Sequence, residues 1–259
     1  MPLAQFLLLN VPSVVLGLIV IGGMILFSVL GVLIVRHFVP HHKLKAHHDV
    51  ADPILGILGA MYAVLLAFVV VTVWQEFEKS SSAVQQEASC LSDVYRNAGA
   101  FSSEFRQNVC LLLRDYRQAI VGREWGAMAS GRKSLEAEKL LRQISSAYAS
   151  YEPRSAKEQS YFDESVRKLN LLYQLRQQRL TDSKTGIHPM LYFVLFAGAV
   201  VVISFTFLFG VESLKAQITM IVLLSTTISL VLFTIMLLDF PFTGNISISP
   251  EPFNTAQLE

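Results

Sequence analysis

Four long stretches of this chain lack Asp, Glu, Lys, Arg and His altogether. They are Val11–Val35, Pro53–Trp74, Pro189–Val211 and Ala216–Leu238, each about 22–25 residues long, where about 20 apolar residues suffice to cross a bilayer core as a helix. Charge is scarce overall: 16% of residues are charged against 53% hydrophobic, with a net charge of +1. That balance excludes a disordered or fibrous chain and gives no electrostatic case for nucleic-acid binding. Cysteine is limited to Cys90 and Cys110, too few for a disulfide scaffold or a zinc ribbon. Met1–Asn10 contains no Lys or Arg, and the first apolar run is too long for a signal peptide, so it is expected to stay in place as a span. A phosphate-binding glycine loop, an HExxH motif and a nucleophile elbow are all missing, so no enzyme and no cofactor or metal is expected.

What remains is a two-plus-two arrangement of apolar runs around a polar stretch, Gln75–His188. In lipid every backbone polar group must be bonded within its own helix. The expectation is an all-α membrane protein with four transmembrane helices and a helical soluble domain inserted between the second and third. Its parts are a first helix pair (11–74), the soluble domain (75–188), a second helix pair (189–238) and an extended tail (239–259). Asp52-Pro53 reads as an N-cap followed by the first helical position. From Trp74 the chain runs without Gly or Pro to Gly99. Val84, Ala88, Leu91, Val94, Tyr95 and Ala98 fall at helical spacing, which predicts one long helix that leaves the bilayer. Further helices are expected over Ser103–Trp125, Ser134–Tyr151 and Ala156–Thr181, with Phe105, Val109, Leu112, Leu113, Tyr116 and Ile120 on one face of the first. In the last, Tyr161, Val166, Leu169, Leu172, Tyr173 and Leu180 are the apolar positions. No stretch alternates with period two, which excludes a sheet. After Leu238, three prolines and Gly244 predict a non-helical segment that packs on the soluble domain.

With four spans, both termini and the soluble domain share one side of the membrane. Arg36, Lys43, Lys45 and Lys215 flank the spans on the other side, against Lys79, Lys168, Arg176, Arg179 and Lys184 on the first. Four against five leaves the orientation open. A hairpin turning near Gly99–Ser102 brings Cys90 and Cys110 level, and a reducing compartment keeps them as thiols.

Four groups of residues carry functional readings. His41, His42, His47 and His48 cluster in the loop after the first span; they read as an interfacial basic loop, as a pH sensor, or as part of a metal shell that only Asp49 and Asp52 are near enough to complete. In the second span Gly56, Ala60, Ala63 and Ala67 form a small-residue stripe suited to helix packing. Met61, Leu65, Phe68 and Thr72, continued by Glu76, form a second stripe that either faces lipid or lines a pore with an apolar constriction and an acidic mouth. No ionisable residue lies inside a span, which speaks against ion-coupled transport and for passive conduction or a structural role. Ser225, Thr226, Thr227 and Ser229 either line a pathway or bond their own helix. The pairs Arg114/Asp115 and Arg123/Glu124 read as solvated surface charge.

Val39-Pro40-His41 with Leu44, His47 and Val50, the tract Tyr62–Val70 with Val73-Trp74, Phe209-Gly210-Val211-Glu212, and Leu238-Asp239 with Pro241-Phe242, Gly244 and Ser249-Pro250 together resemble the bestrophin-like family of bacterial and plastid membrane proteins. Thr72-Val73-Trp74-Gln75-Glu76-Phe77 is similar to the segment where the pore helix of bestrophin channels leaves the membrane. The resemblance implies a pentameric ion channel in a bacterial inner membrane, with the second span lining the pore, Met61, Leu65 and Phe68 in its neck, and the soluble helices in the cytoplasm. It implies a lipid bilayer, inorganic ions and further copies of the chain as partners; Glu76 implies a preference for cations. A stator-type proton channel subunit completed by a carboxylate-bearing partner, and a non-conducting scaffold or sensor, share the same layout.

Overall fold

The computed structural model describes residues 3–39, 48–256 and 258 of the chain. Its elements are α1 (Leu3–Asn10), α2 (Ser13–Phe38), α3 (His48–Asn97), α4 (Ser103–Ala119), a π-helical turn (Ile120–Glu124), α5 (Trp125–Ala129), α6 (Leu135–Ala149), α7 (Ala156–Asp182), α8 (Pro189–Thr206), α9 (Leu214–Leu238) and α10 (Glu251–Asn254). Among the described residues there is no strand. By length and composition, α2, α3, α8 and α9 are apolar enough to cross a membrane. The chain divides into an apolar unit, which runs up to Glu76 and resumes over Gly186–Asp239, and a polar unit of Phe77–Thr185 and Phe240–Glu259. The 50-residue α3 contributes to both.

The apolar unit is built on close approach rather than on polar glue. In α2 a Cβ on Gly17 would lie 2.9 Å from the Phe233 ring, and one on Gly31 would fall onto the Phe207 ring. Only glycine admits rings this near to a helix backbone. Midway along α2, Ser28 Oγ lies 3.1 Å from Ser225 Oγ of α9. The other α9 hydroxyls turn inward on their own helix: Ser229 donates to the Ser225 carbonyl and Thr227 to the Leu223 carbonyl. Each is thereby satisfied within its own helix. At the end of α2, Arg36 Nε donates to Gln217 Oε1 at 2.7 Å and Gln217 Nε2 donates to the Phe209 carbonyl at 2.8 Å. Arg36 also bonds the Val211 carbonyl, so its charge ties down the α8–α9 connection.

The polar unit starts its helices with serine caps. Ser102, Ser134 and Ser155 accept from the amides of Phe105, Ala137 and Glu158 at the heads of α4, α6 and α7, satisfying amides that have no partner inside the helix. Its core joins Val84, Leu91 and Val94 of α3 to Val109, Leu113 and Tyr116 of α4, Ile144 of α6 and Leu172 of α7. Gly131, at φ 68°, takes the left-handed turn after α5 that favours glycine. Cys90 is buried, Cys110 is half-buried, and both are free thiols. Burial pushes each thiol above its ordinary value.

Several local expectations need correction. The helix over Ser103–Trp125 breaks into α4, the π-helical turn and α5, and it ends at Ala129. α3 begins at His48, so Asp52 is no cap and Pro53 sits inside the helix. That is tolerable because only one bond, to the Asp49 carbonyl, is lost near a helix end. Of the apolar positions of α7, Tyr161 and Tyr173 are 39% and 52% exposed, on its outer side. The tail contains one helical turn, α10, with a proline in its first positions, where no intrahelical amide bond is required. Phe242, Ile248, Phe253 and Leu258 of the tail are buried in the core of the polar unit.

Phe253 is fully buried, so Phe253→Ala is expected to cost about 3–5 kcal/mol. Denaturant unfolding of the detergent-purified protein checks this. A loss below about 1 kcal/mol would place the tail outside the cooperative core.

Candidate pore helix and a buried ion-pair network

The apolar part of α3 has three faces. Tyr62, Leu66, Val69 and Val73 are buried and follow steps of four, three and four residues, which nearly complete three turns. This face meets α8: the Tyr62 hydroxyl donates to the Leu195 carbonyl at 2.8 Å. Met61, Leu65, Phe68 and Thr72 repeat the same steps one residue earlier, so their stripe is turned by about 100°. Met61 is 67% and Phe68 71% exposed; Leu65 is half-buried, and Thr72 and Glu76 are exposed. The Thr72 hydroxyl bonds the Phe68 carbonyl of its own helix. On the far side of the buried face, Gly56, Ala60, Ala63 and Ala67 are exposed as well, and a Cβ on Gly56 would meet nothing within 4 Å. The small-residue stripe is therefore not covered by a helix of its own chain. Ala63, Ala67 and Val70 instead border an apolar groove of 550 Å³, closed on the other side by Val202, Leu224 and Val231.

Of the four histidines singled out as sensors, His41, His42 and His47 lie outside the described residues, and His48 is described only as the first backbone position of α3. No cluster of metal-binding side chains occurs among the described residues.

The polar unit holds an arrangement that sequence reasoning missed. Glu87, Glu124, Arg176 and Arg179 are all fully buried. Arg179 donates from Nε to Glu87 Oε2 at 2.6 Å, and from one terminal nitrogen to Glu87 Oε1 at 2.9 Å and Glu124 Oε1 at 3.0 Å. Arg176 donates to both oxygens of Glu124, at 3.1 and 2.6 Å. The Ser134 amide, at the head of α6, adds a bond to Glu124 Oε2. The Arg179 guanidinium lies 5.3 Å from the centre of the Trp125 ring and 5.8 Å from that of Phe253, both within cation–π range. Glu124 is no surface charge, and Arg123 pairs with Glu136 instead. The π-helical turn supplies the reason: an extra residue per turn shifts the helix face and swings Glu124 inward while Arg123 stays outside. Burial alone would raise the Glu124 carboxyl, but the bonds and charges of Arg176 and Arg179 hold it below its ordinary value. Charge partners outweigh burial for Arg179 and Arg176 too, raising both. Local spacing gave no signal of this arrangement, since the paired residues are 52, 55 and 92 positions apart.

Residues 22–253 match the family model described as the Bestrophin-like domain. The chain belongs to the Bestrophin-like family. Its fold agrees with solved bestrophin homologues despite low identity. A bacterial bestrophin homologue from Klebsiella pneumoniae with a leucine-to-threonine substitution superposes with a TM-score of 0.71 at 13% identity, over 91% of this chain and 96% of that one. The same homologue phased on zinc gives 0.69 at 14%, over 90% and 94%. A membrane protein with a proline-to-alanine substitution gives 0.70 at 13%, over 91% and 95%. No curated protein sequence matches significantly. The all-helical fold is thus the bestrophin fold, and the protein is a membrane protein of that family.

Neutralising Glu124 leaves the buried Arg176 without a carboxylate partner, while Arg179 keeps Glu87. Glu124→Gln is expected to destabilise the protein by about 3–5 kcal/mol at neutral pH. The pH dependence follows from the lowered carboxyl: the stabilisation is complete above the ordinary glutamate range and is lost as pH falls through the lower folded value. Unfolding midpoints of the wild type should hold steady through mildly acidic pH and fall only below about pH 4. The variant should show a shallower acid decline, and an unchanged one would remove Glu124 from this role.

Proposed function

We propose that the protein is a passive ion channel: a four-span subunit that assembles with further copies, five by analogy with bestrophin channels, into a ring whose pore is lined by α3. The observation that carries this reading is the Met61, Leu65, Phe68 and Thr72 stripe. Its bulkiest members are left open by the chain's own packing, beside a buried face and opposite an equally open small-residue face. A ring subunit needs such a division, with one face for its own fold, one for the axis and one for a neighbour. Rings of bulky apolar side chains at the axis repel water and hold a narrow pore shut. Glu76, the last residue of the apolar unit, would place carboxylates at the mouth and concentrate cations there. Membership of the Bestrophin-like family supports conduction over the stator and scaffold alternatives.

The same reading assigns 11–74 and 189–238 to the bilayer and the intervening 75–188 to the cytoplasm of a bacterial inner membrane. Single cysteines near Ser130, in a background free of Cys90 and Cys110, should resist an impermeant thiol reagent in intact cells. Modification there would reverse the orientation.

Planar-bilayer recordings of the purified protein test the pore. Leu65→Ala and Phe68→Ala are expected to raise conductance several-fold, because each widens and wets the constriction in every subunit. Glu76→Gln is expected to shift the reversal potential toward lower cation preference. Currents unchanged across all three variants would return this face to lipid, and a wild type without conductance would favour the scaffold reading.

A further inference from the structure

We infer that Tyr62 and Gly198 form the pivot that sets the rotation of α3 about its own axis, and thereby which side chains stand at the constriction; this rests on the pore reading of α3. Tyr62 belongs to the buried face, yet it is the immediate neighbour of Met61 and lies one turn before Leu65. Its ring is held at both ends. The α3 backbone fixes one end, and at the other the hydroxyl donates to the Leu195 carbonyl at 2.8 Å. Between them the ring lies against the bare backbone of α8: a Cβ on Gly198 would stand 2.6 Å from Tyr62 Cε2 and 2.8 Å from Cδ2. Leu195 and Gly198 are three residues apart and so share one face of α8.

A ring fixed in this way cannot yield by swinging alone. Any group placed at Gly198 either breaks the hydroxyl bond or turns α3. On a helix about 10–12 Å across, a turn of about 15° carries side-chain tips by roughly 1.5 Å, comparable to the radius of a water molecule. Leu65 and Phe68 are rigidly linked to Tyr62 through the helix, so they move with it. The close contacts of Gly17 and Gly31 lack this property, because the ring near Gly17 is carried by α9 and the ring near Gly31 lies just past the end of α8. Those two contacts set the packing of α2 and leave α3 untouched.

The test reads the orientation of α3 directly. In a background with Cys90 and Cys110 replaced by Ala, Phe68→Cys is introduced and its modification by a charged, water-borne thiol reagent is timed by mass spectrometry on the detergent-purified oligomer, with Glu76→Cys as the exposed control. The expected result is that Phe68→Cys reacts and that adding Gly198→Ala changes its rate by about fivefold or more, the scale of one lost hydrogen bond. A second substitution, Tyr62→Leu, makes room for the added methyl but also lacks the hydroxyl, so it should bring the rate back only as far as that of Tyr62→Phe. Tyr62→Phe keeps the ring and removes only the bond, and should shift the rate in the same direction by less. If Gly198→Ala does not fold, Tyr62→Phe decides alone. Were Tyr62 and Gly198 merely structural, both variants would lower thermal stability and leave the rate as it was. A reactive Phe68→Cys whose rate neither variant alters overturns the pivot and leaves the pore reading standing. A Phe68→Cys that stays unmodified while Glu76→Cys reacts overturns the pore reading and the pivot with it.

Discussion

Four buried charges organise the polar unit. Glu87, Glu124, Arg176 and Arg179 have no access to solvent, and a single buried charge without a partner is far costlier than a matched pair. Their net charge is zero, and each carboxylate oxygen accepts at least one guanidinium bond. Removing any member strands another, so the arrangement behaves as a unit. It dictates where α3, the π-helical turn and α7 must meet. It also explains the docking of the tail, since the Phe253 ring covers Arg179 on one side while Trp125, which covers it too, bonds the Ile248 carbonyl.

The apolar unit relies on the opposite physics. Its four apolar runs carry no ionisable side chain, and lipid provides no hydrophobic driving force between helices. Close contact has to come from shape: Gly17 against Phe233, Gly31 against Phe207, Gly198 against Tyr62. The few polar side chains inside it are spent on local carbonyls or on one another, as with Ser28 and Ser225. α3 is the exception in how much surface it leaves open. Its buried face is one side chain wide, and most residues of the two flanking stripes are exposed.

That asymmetry connects the fold to function. A helix fully wrapped by its own chain could not line a shared pore, and one without an anchor could not hold a constriction in register. α3 has an anchor on a single face and open stripes on either side of it. The family assignment comes independently from residues 22–253 as a whole, and the open stripe is where the proposed conduction would be controlled.

The division between sequence and structure follows the range of the interactions. Four apolar runs free of charge and the helical spacing of Val84, Leu91 and Val94 are local patterns, so hydropathy and periodicity by themselves determined an all-helical membrane protein with long apolar helices. The two stripes on α3 were equally legible, because residues four and three apart share a face whatever surrounds them. What the sequence left undecided was which stripe the chain itself would cover, and the answer was neither: the covered face is that of Tyr62, Leu66, Val69 and Val73. Nor could local spacing show that Glu124 points inward while its neighbour Arg123 points out, since that depends on a π-helical turn and on partners 52 and 55 residues away. Only tertiary structure brings such distant charges together, because what selects their positions is the cost of burying them unpaired.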